Sequence, residues 1–401
     1  MTSGEMSGRV VFLSRRSQSN KTDISLICFP FSGNSVGGSL ISSIHLMKVL
    51  STYSRCQVIV AVGSLGDGAD LLIEHGFQVT HWREFKGITY SGSIAQRIRS
   101  LFYGVICARR RIIRENIDVV HTNDAVFHLI WSVACRLTRC HHFWHQRTKV
   151  SLSRATHLGL FMTTAIICIS KYVQSMMPSM ARSKAHLLVN PIVAGAEASS
   201  MDRTHRGNRF SDLSALSSQG KTLVGFIGVF NNQKRILDFL AIVEELKHDT
   251  DKHFLIVGKD GDFSRTELTL FVQKKELENL VTIYPFTRNI RDIFDLLDIL
   301  VAPAVDEASG RVLLEAMEAG VLVIASSSGG HREIVCEGKT GFLVDPGNIT
   351  VYARRISDIS KNSRKHDVLR ERARDFVLAE HSIERFSLGV KKIYNPIIHE
   401  L

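Results

Sequence analysis

The stretch 299-ILVAPAVDEASGRVLLEAMEAGVLVIAS-326 decides the fold. It opens on an apolar run, 299-ILVAPA-304, and crosses a polar turn to Gly310. A helical pattern follows over 310–319, with Val312, Leu313, Ala316 and Met317 on its apolar face. It closes on a second apolar run, 321-VLVIAS-326. Short β-branched runs that stay apolar at every position belong to strands buried on both faces, as in a parallel sheet. A helix between two such runs is the crossover that parallel strands require.

The same alternation extends in both directions. Strand candidates in the first half are 24-ISLICFPF-31, 57-QVIVAVG-63, 77-FQVTHW-82, 117-IDVVHT-122, 143-FWH-145 and 165-AIICIS-170. Helical patterns lie between them at 38–53, 96–116 and 125–138. Residues 194–220 are polar and Ser/Gly-rich, with room for one short helix. The alternation restarts with 222-TLVGFIGVF-230, 253-HFLIVG-258 and 281-VTIYPF-286, and ends at 341-GFLV-344. Helices are expected at 235–248, 264–277, 290–297 and 330–337, then at 350–362, 364–378 and 382–393.

A chain of 401 residues suits two domains. The expected architecture is α/β, with two doubly wound Rossmann-like domains in series. The expected division is a frayed tail 1–22, a first domain 23–195, a linker 196–220 and a second domain 221–375. A C-terminal helix in 376–401 is expected to pack back toward the first domain. Ligands of such sheets bind at the carboxyl ends of the strands, so a cleft between facing domains is the expected site.

The net charge is uneven. Residues 1–195 carry +13 and residues 196–401 carry −2, so the whole net charge of +11 sits in the first half. The run 109-RRRIIR-114, with Arg97 and Arg99, makes a basic surface there. It reads either as a solvated helix face or as an attractor for phosphates or acidic lipid heads. Little aromatic interleaving and no recognised nucleic-acid module accompany it, so no nucleic-acid partner is expected. The seven cysteines, 28, 56, 107, 135, 140, 168 and 336, form no Cys-x-x-Cys pair. Free thiols in a reducing, cytoplasmic compartment are expected. Cys135 and Cys140 next to His141 and His142 match no standard zinc spacing. No apolar stretch reaches membrane-spanning length.

In 303-PAVDEASGRVLLEAMEAG-320 two carboxylates, Glu307 and Glu315, flank a glycine at a helix start. The first amides of that helix, near Ser309, Gly310 and Arg311, lack intrahelical partners and carry the positive end of the dipole. Such a start attracts anions, and Gly310 lets a phosphate approach the backbone. A carboxylate accepts two hydroxyl hydrogen bonds, which suits a ribose diol. The plainer alternatives are a salt bridge or cap for Glu315 and a dipole-stabilised acid for Glu307. Asp260-Gly261-Asp262 has the look of a metal-binding Asp-x-Asp, but turn chemistry explains it without metal.

Taken together, these motifs resemble a GT-B-fold glycosyltransferase, most closely glycosyltransferase family 4. The resemblance is strong over 299–347: Glu307, Glu315-Ala316-Met317, Gly320, Val323-Ile324-Ala325, Gly329-Gly330 with Glu333, and Gly341-Phe342-Leu343-Val344. Weaker echoes are Gly37-Gly38 after the first strand, 117-IDVVHTND-124, His145, Ser170, Asn190, and Gly228 with Lys234. The departures are Val229 in place of an Arg for the donor diphosphate, Pro191, Ser309 in place of an aromatic, and Leu322 in place of a Pro.

The resemblance implies a retaining enzyme that moves a sugar from a nucleotide-diphospho-sugar to a glycan or lipid-linked acceptor, as in bacterial envelope polysaccharide synthesis. The donor sugar nucleotide is a co-substrate; no catalytic metal or other cofactor is expected. Glu307 and His145 would be catalytic. Gly37, Gly38, Gly228, Lys234, Ser309, Gly310, Arg311 and Glu315 would hold the donor, and Asn123 and Asp124 would line the acceptor side. His145 also reads as a satisfied structural histidine. The basic first domain would allow peripheral contact at the inner face of an anionic membrane. A nucleotide-sugar epimerase or hydrolase of the same fold, or a non-catalytic sugar-nucleotide binder, are the other readings.

Overall fold

The computed structural model describes residues 25–34, 36–85, 93–150, 153–192, 211–287 and 289–398. They form two units. One comprises the described residues up to Val189 together with those from Phe386, and the other runs from Asn190 to Arg385. The expected tail 1–22 and residues 196–210 of the expected linker lie outside the described residues.

The first unit holds β1 (Ser25–Phe31), β2 (Cys56–Val62), β3 (Val79–His81), β4 (Val119–Thr122), β5 (His141–Gln146), β6 (Ala165–Cys168) and β7 (Ala185–Leu187). They form one parallel sheet in the order β3-β2-β1-β4-β5-β6-β7. The second holds β8 (Thr222–Phe230), β9 (Lys252–Asp260), β10 (Val281–Pro285), β11 (Ile299–Ala302), β12 (Leu322–Ser326) and β13 (Phe342–Val344). Their order is β10-β9-β8-β11-β12-β13, again parallel throughout. Both are α/β, Rossmann-like sheets, as expected.

The stretch that decided the fold forms β11, the helix Arg311–Glu318 and β12, paired from Ile299↔Leu322 to Ala302↔Ala325. Alternate residues feed opposite layers, because successive side chains of a strand point to opposite faces. Phe254, Ile256, Val301 and Ile324 join one apolar core. Leu255, Val257, Leu300, Ala302, Val323 and Ala325 join another. Both faces of the second sheet are therefore buried, which is why its strands read as unbroken apolar runs.

Each sheet reverses its winding between two strands, β1 and β4 in one unit and β8 and β11 in the other. The same device pins both pairs. Asp118 accepts from the Leu26 amide through Oδ2 at 2.8 Å and donates its own amide to the Leu26 carbonyl at 3.1 Å. Asp298 does the same with Leu223, at 2.8 and 3.0 Å. A charged acceptor thus satisfies the amide of the strand's second residue and sets the stagger of its neighbour.

The boundaries differ from the expected ones. The second unit includes 190–192 and 376–385, because the two segments are stitched together. The Asn190 carbonyl meets His381 Nδ1 at 3.0 Å, and the Ile192 amide donates to the His381 carbonyl at 2.8 Å. The helix Ser211–Ser218 falls in the expected linker, yet its Leu213 is fully buried in the second unit's core. Strand β7 and the helix Asp67–Glu74 were not expected; three residues, or an acid-rich start, give too little periodicity to read.

Replacing Asp298 with alanine leaves the Leu223 amide without its acceptor. The expected loss is about 1–2 kcal/mol of stability, read as a lower urea midpoint at unchanged m-value, with Asp298→Asn losing less.

Candidate active site

In an open doubly wound sheet, the crevice lies beyond the strand ends where the order reverses. In the second unit that point is flanked by the loops after β8 and β11. The Val305 amide donates to the Gln233 carbonyl at 3.0 Å, joining these loops. A third loop, after β12, closes on them: the Asp306 amide donates to Ser328 Oγ at 3.0 Å, and the Gly330 amide to the Glu307 carbonyl at 2.7 Å. A side chain at Gly329 would strike the Glu307 backbone at 2.5 Å, so only glycine permits this approach.

Lys234 and Glu307, 73 residues apart in sequence, meet here, with Nζ 2.7 Å from Oε2. The Lys234 amide is held by Asn231 Oδ1 at 2.8 Å, and its side chain crosses Gly228, where a Cβ would sit 3.7 Å from it. Burial pushes the Glu307 carboxyl upward, but Lys234, His331 and the Gly310 amide outweigh it and hold the group below its ordinary value. Gly310 caps the helix Arg311–Glu318 with φ 81°, in the left-handed region. Ser309 before it is buried. Glu315 is engaged separately, accepting from Arg311 Nε at 2.6 Å one helical turn away. Val229 stands partly exposed at the end of β8.

His331 lies against this loop and is completely buried. Ser326 donates to the Ala304 carbonyl, so its oxygen is left to accept from His331 Nδ1, 3.2 Å away. His331 Nε2 then carries a lone pair with no partner among the described residues. A Cβ at position 310 would lie 2.8 Å from His331 Cδ2, a second reason for glycine there. Burial pulls His331 down to about 4 against the attraction of the Glu307 carboxylate.

Asp260 and Asp262 are engaged in turns. Asp260 Oδ1 accepts from the Arg265 amide at 3.0 Å, and Asp262 Oδ2 accepts from the Asn232 backbone and side chain at 2.9 and 2.8 Å. Among the described residues no group of three His, Cys, Asp or Glu side chains is gathered as metal ligands.

In the first unit the matching point lies beyond β1 and β4. Gly37 caps the helix Gly38–Ser51 in extended conformation, and a Cβ there would meet nothing within 4 Å. Asp124 Oδ2 accepts from the Ser32 amide at 2.9 Å, tying the two strand ends together. Ser32, Gly37 and Asp124 line a pocket of about 80 Å³. Beside it, at the ends of β4 and β5, His121, Asn123, His145 and Arg147 form a buried polar cluster. Arg147 Nε donates to Asn123 Oδ1 at 2.9 Å.

Residues 211–376, inside the second unit, match the model of the family "Glycosyl transferases group 1". Over nearly its whole length the chain is similar to the N-acetyl-alpha-D-glucosaminyl L-malate synthase of Bacillus anthracis, at 22% identity across 95% of this chain and 98% of that protein. A segment covering 32% of each chain is 33% identical to a putative glycosyltransferase, EpsD, of Bacillus subtilis. The chain is a GT-B-fold glycosyltransferase. Its fold matches that of a Rickettsia africae glycosyltransferase with TM-score 0.75, at 17% identity over 95% of this chain and 100% of the other. It also matches Anabaena HepE in complex with UDP and glucose, with TM-score 0.73, at 20% identity over 92% and 98% of the two chains.

For this glycosyltransferase the structure brings Gly228, Lys234, Glu307, Ser309 and Gly310 to one strand-end crevice and puts Arg311 and Glu315 in a pair of their own. Sequence reasoning passed over His331, although it lies between Gly330 and Glu333 of a motif already singled out. It also passed over Arg147 and Tyr394, which no local pattern marks.

The buried histidines make the fold acid-sensitive. Burial lowers His331 to about 4 and His142 to about 3, from an ordinary value of 6.5. A base depressed in the folded state binds its proton more readily once unfolded, so stability falls with falling pH between the two values. Glu307, depressed as an acid, acts in the same sense, losing its contribution as pH falls through its folded value. The melting temperature is expected to hold above pH 6.5 and decline steadily from there toward pH 4, measured by scanning fluorimetry. A flat profile across that window would contradict the burial assigned to these rings.

Proposed function

We propose that this enzyme moves a sugar, with retention, from a nucleotide-diphospho-sugar to a glycan or lipid-linked acceptor of the bacterial cell envelope. The observation that carries the donor reading is the Lys234–Glu307 pair at the strand-order reversal, next to the helix start at Gly310. A diphosphate arriving there meets an ammonium and the positive end of the helix dipole, both aimed at the charge that grows on the leaving group. As Lys234 turns to the phosphate, Glu307 is released to orient sugar hydroxyls and to face the positive anomeric carbon. Glu315, on leaving Arg311, takes the ribose diol. Asn123 and Asp124, at the end of β4, supply the acceptor side.

A thermal-shift screen against UDP-, GDP-, ADP- and dTDP-sugars tests this. One donor should raise the melting temperature progressively with its excess over Kd. Glu307→Gln should keep the fold and lower transfer by on the order of a hundredfold. Full activity in that variant would remove Glu307 from the chemistry, and the absence of any stabilising donor would remove the donor site.

Contact with an anionic membrane surface is supported by the first unit. Its helices Ile94–Glu115, Ala125–Thr138, Arg154–Met162 and Ser179–Arg182 expose Ile94, Ile98, Phe102, Ile106, Leu137, Phe161 and Met180. Ile94, Ile98, Phe102 and Ile106 recur every four residues, so they share one helix face. The same helices expose Arg97, Arg99, Arg109, Arg110, Arg114, Arg136, Arg154 and Arg182, and their one acid, Glu115, is bound to Arg111 at 3.1 Å. An apolar row flanked by arginines suits a bilayer interface with acidic heads. No helix among the described residues is long and apolar enough to cross a membrane. The protein should float with vesicles containing phosphatidylglycerol and not with pure phosphatidylcholine. Phe102→Asp should abolish flotation while leaving the melting temperature unchanged; undiminished flotation would exclude this face.

A further inference from the structure

We propose that Arg147 is a positioning residue that sets one hydrogen-bond direction through His145, His121 and Tyr394 and so locks His145 into its neutral Nε2–H form, as a fixed hydrogen-bond donor to a substrate oxygen. The inference deepens the transfer reading above and rests on it.

The protonation pattern follows from which groups can donate. Arg147 Nη2 lies 3.2 Å from His145 Nδ1, and a guanidinium has no acceptor, so His145 Nδ1 must be the acceptor. His121 Nε2 lies 3.0 Å from the same nitrogen and must therefore be a donor as well. A neutral His121 with its hydrogen on Nε2 leaves a lone pair on Nδ1, and that nitrogen meets the Tyr394 hydroxyl. The chain thus runs one way: Tyr394 O–H donates to His121, and His121 N–H donates to His145. His145 is left with its hydrogen on Nε2.

That last donor is buried and has no partner among the described residues. Asn123 repeats the situation. Its Oδ1 is taken by Arg147, and its Nδ2 is buried without a partner among the described residues. The two residues lie one position beyond the paired Thr122 and Trp144, at the carboxyl ends of adjacent parallel strands. Buried donors left unfilled are costly, and two of them oriented by one arginine at strand ends are explained by an oxygen that arrives with the substrate.

Both rings are held uncharged. Burial first, then the Arg147 guanidinium, keeps His145 and His121 well below the ordinary histidine value. Burial keeps Tyr394 protonated. His145 therefore acts by donating a hydrogen bond and does not shuttle a proton. The Tyr394 ring stacks on Phe143 with centroids 4.4 Å apart and planes 8° from parallel, a contact that phenylalanine would preserve.

The test compares wild type with Arg147→Met, which removes the donor that makes His145 Nδ1 an acceptor, and with Tyr394→Phe, which leaves that donor in place. With 15N-labelled histidine, and His145 assigned through His145→Gln, the wild type should show Nε2 protonated and Nδ1 bare. Arg147→Met should give a mixture of both tautomers, and Tyr394→Phe should keep the wild-type tautomer. With the nucleotide-sugar that stabilises the fold, kcat of Arg147→Met should fall on the order of tenfold, the worth of about one hydrogen bond, with KM little changed. Nδ1 protonated in the wild type, an unchanged tautomer in Arg147→Met, or an undiminished kcat in that variant would each overturn the proposal. If no nucleotide-sugar is turned over, the transfer reading fails, while the tautomer pattern still decides whether the relay exists.

Discussion

A carboxylate at the foot of a strand governs both halves of this molecule. Asp118 and Asp298 each accept the amide of the second residue of the strand at the middle of their sheet, at 2.8 Å in both cases, and return an amide to the same residue. They sit where the winding of the sheet reverses, between β1 and β4 and between β8 and β11. Helices leave such a pair of strands in opposite directions, which opens a crevice at the far ends. The stagger set at the foot of the strands decides which residues face each other at the top. Lys234 and Glu307 are brought within 2.7 Å by that stagger and by the loop contacts it permits.

The two strand-end clusters differ in their electrostatics. In the second unit the polar groups are charged, and each charge has a partner: Lys234 with Glu307, Arg311 with Glu315. Half-buried ion pairs of this kind hold their geometry and give it up only to a competing charge of the same sign as the displaced partner. In the first unit the histidines are kept neutral by burial and, for His121, His128 and His145, by the positive charge of Arg147. A single guanidinium there imposes one direction on a run of hydrogen bonds that two histidines and a tyrosine could otherwise arrange in several ways.

The fold was largely legible because its strands are apolar on both faces, and such runs survive any change of helix or loop. β8 begins and ends where the apolar run 222–230 does, and the helix Ala125–Thr138 coincides with its pattern. The short elements were illegible for the same reason in reverse: β7, at a sheet edge, has three residues and no full period. The boundaries shifted because 190–192 and 376–385 are joined by contacts through His381, which no local composition reveals. Glu307, Gly310 and Lys234 were legible through the spacing of a motif. His331, Arg147 and Tyr394 were not, since no spacing motif marks them.

The amino-acid sequence by itself determined the alternation of buried strands and amphipathic helices, the basic character of the first half, and the residue types around Gly310. These are local matters of hydrophobic period, charge and backbone freedom. Tertiary structure alone decided which carboxylate meets Lys234, which nitrogen of His145 keeps its hydrogen, and that His331 lies beneath Gly310. Each of these depends on groups brought together across 73, 24 or 21 positions of chain by the stacking of strands. Spacing along the chain carries no record of such distances, because a parallel sheet sets them by the stagger of its strands and not by their order.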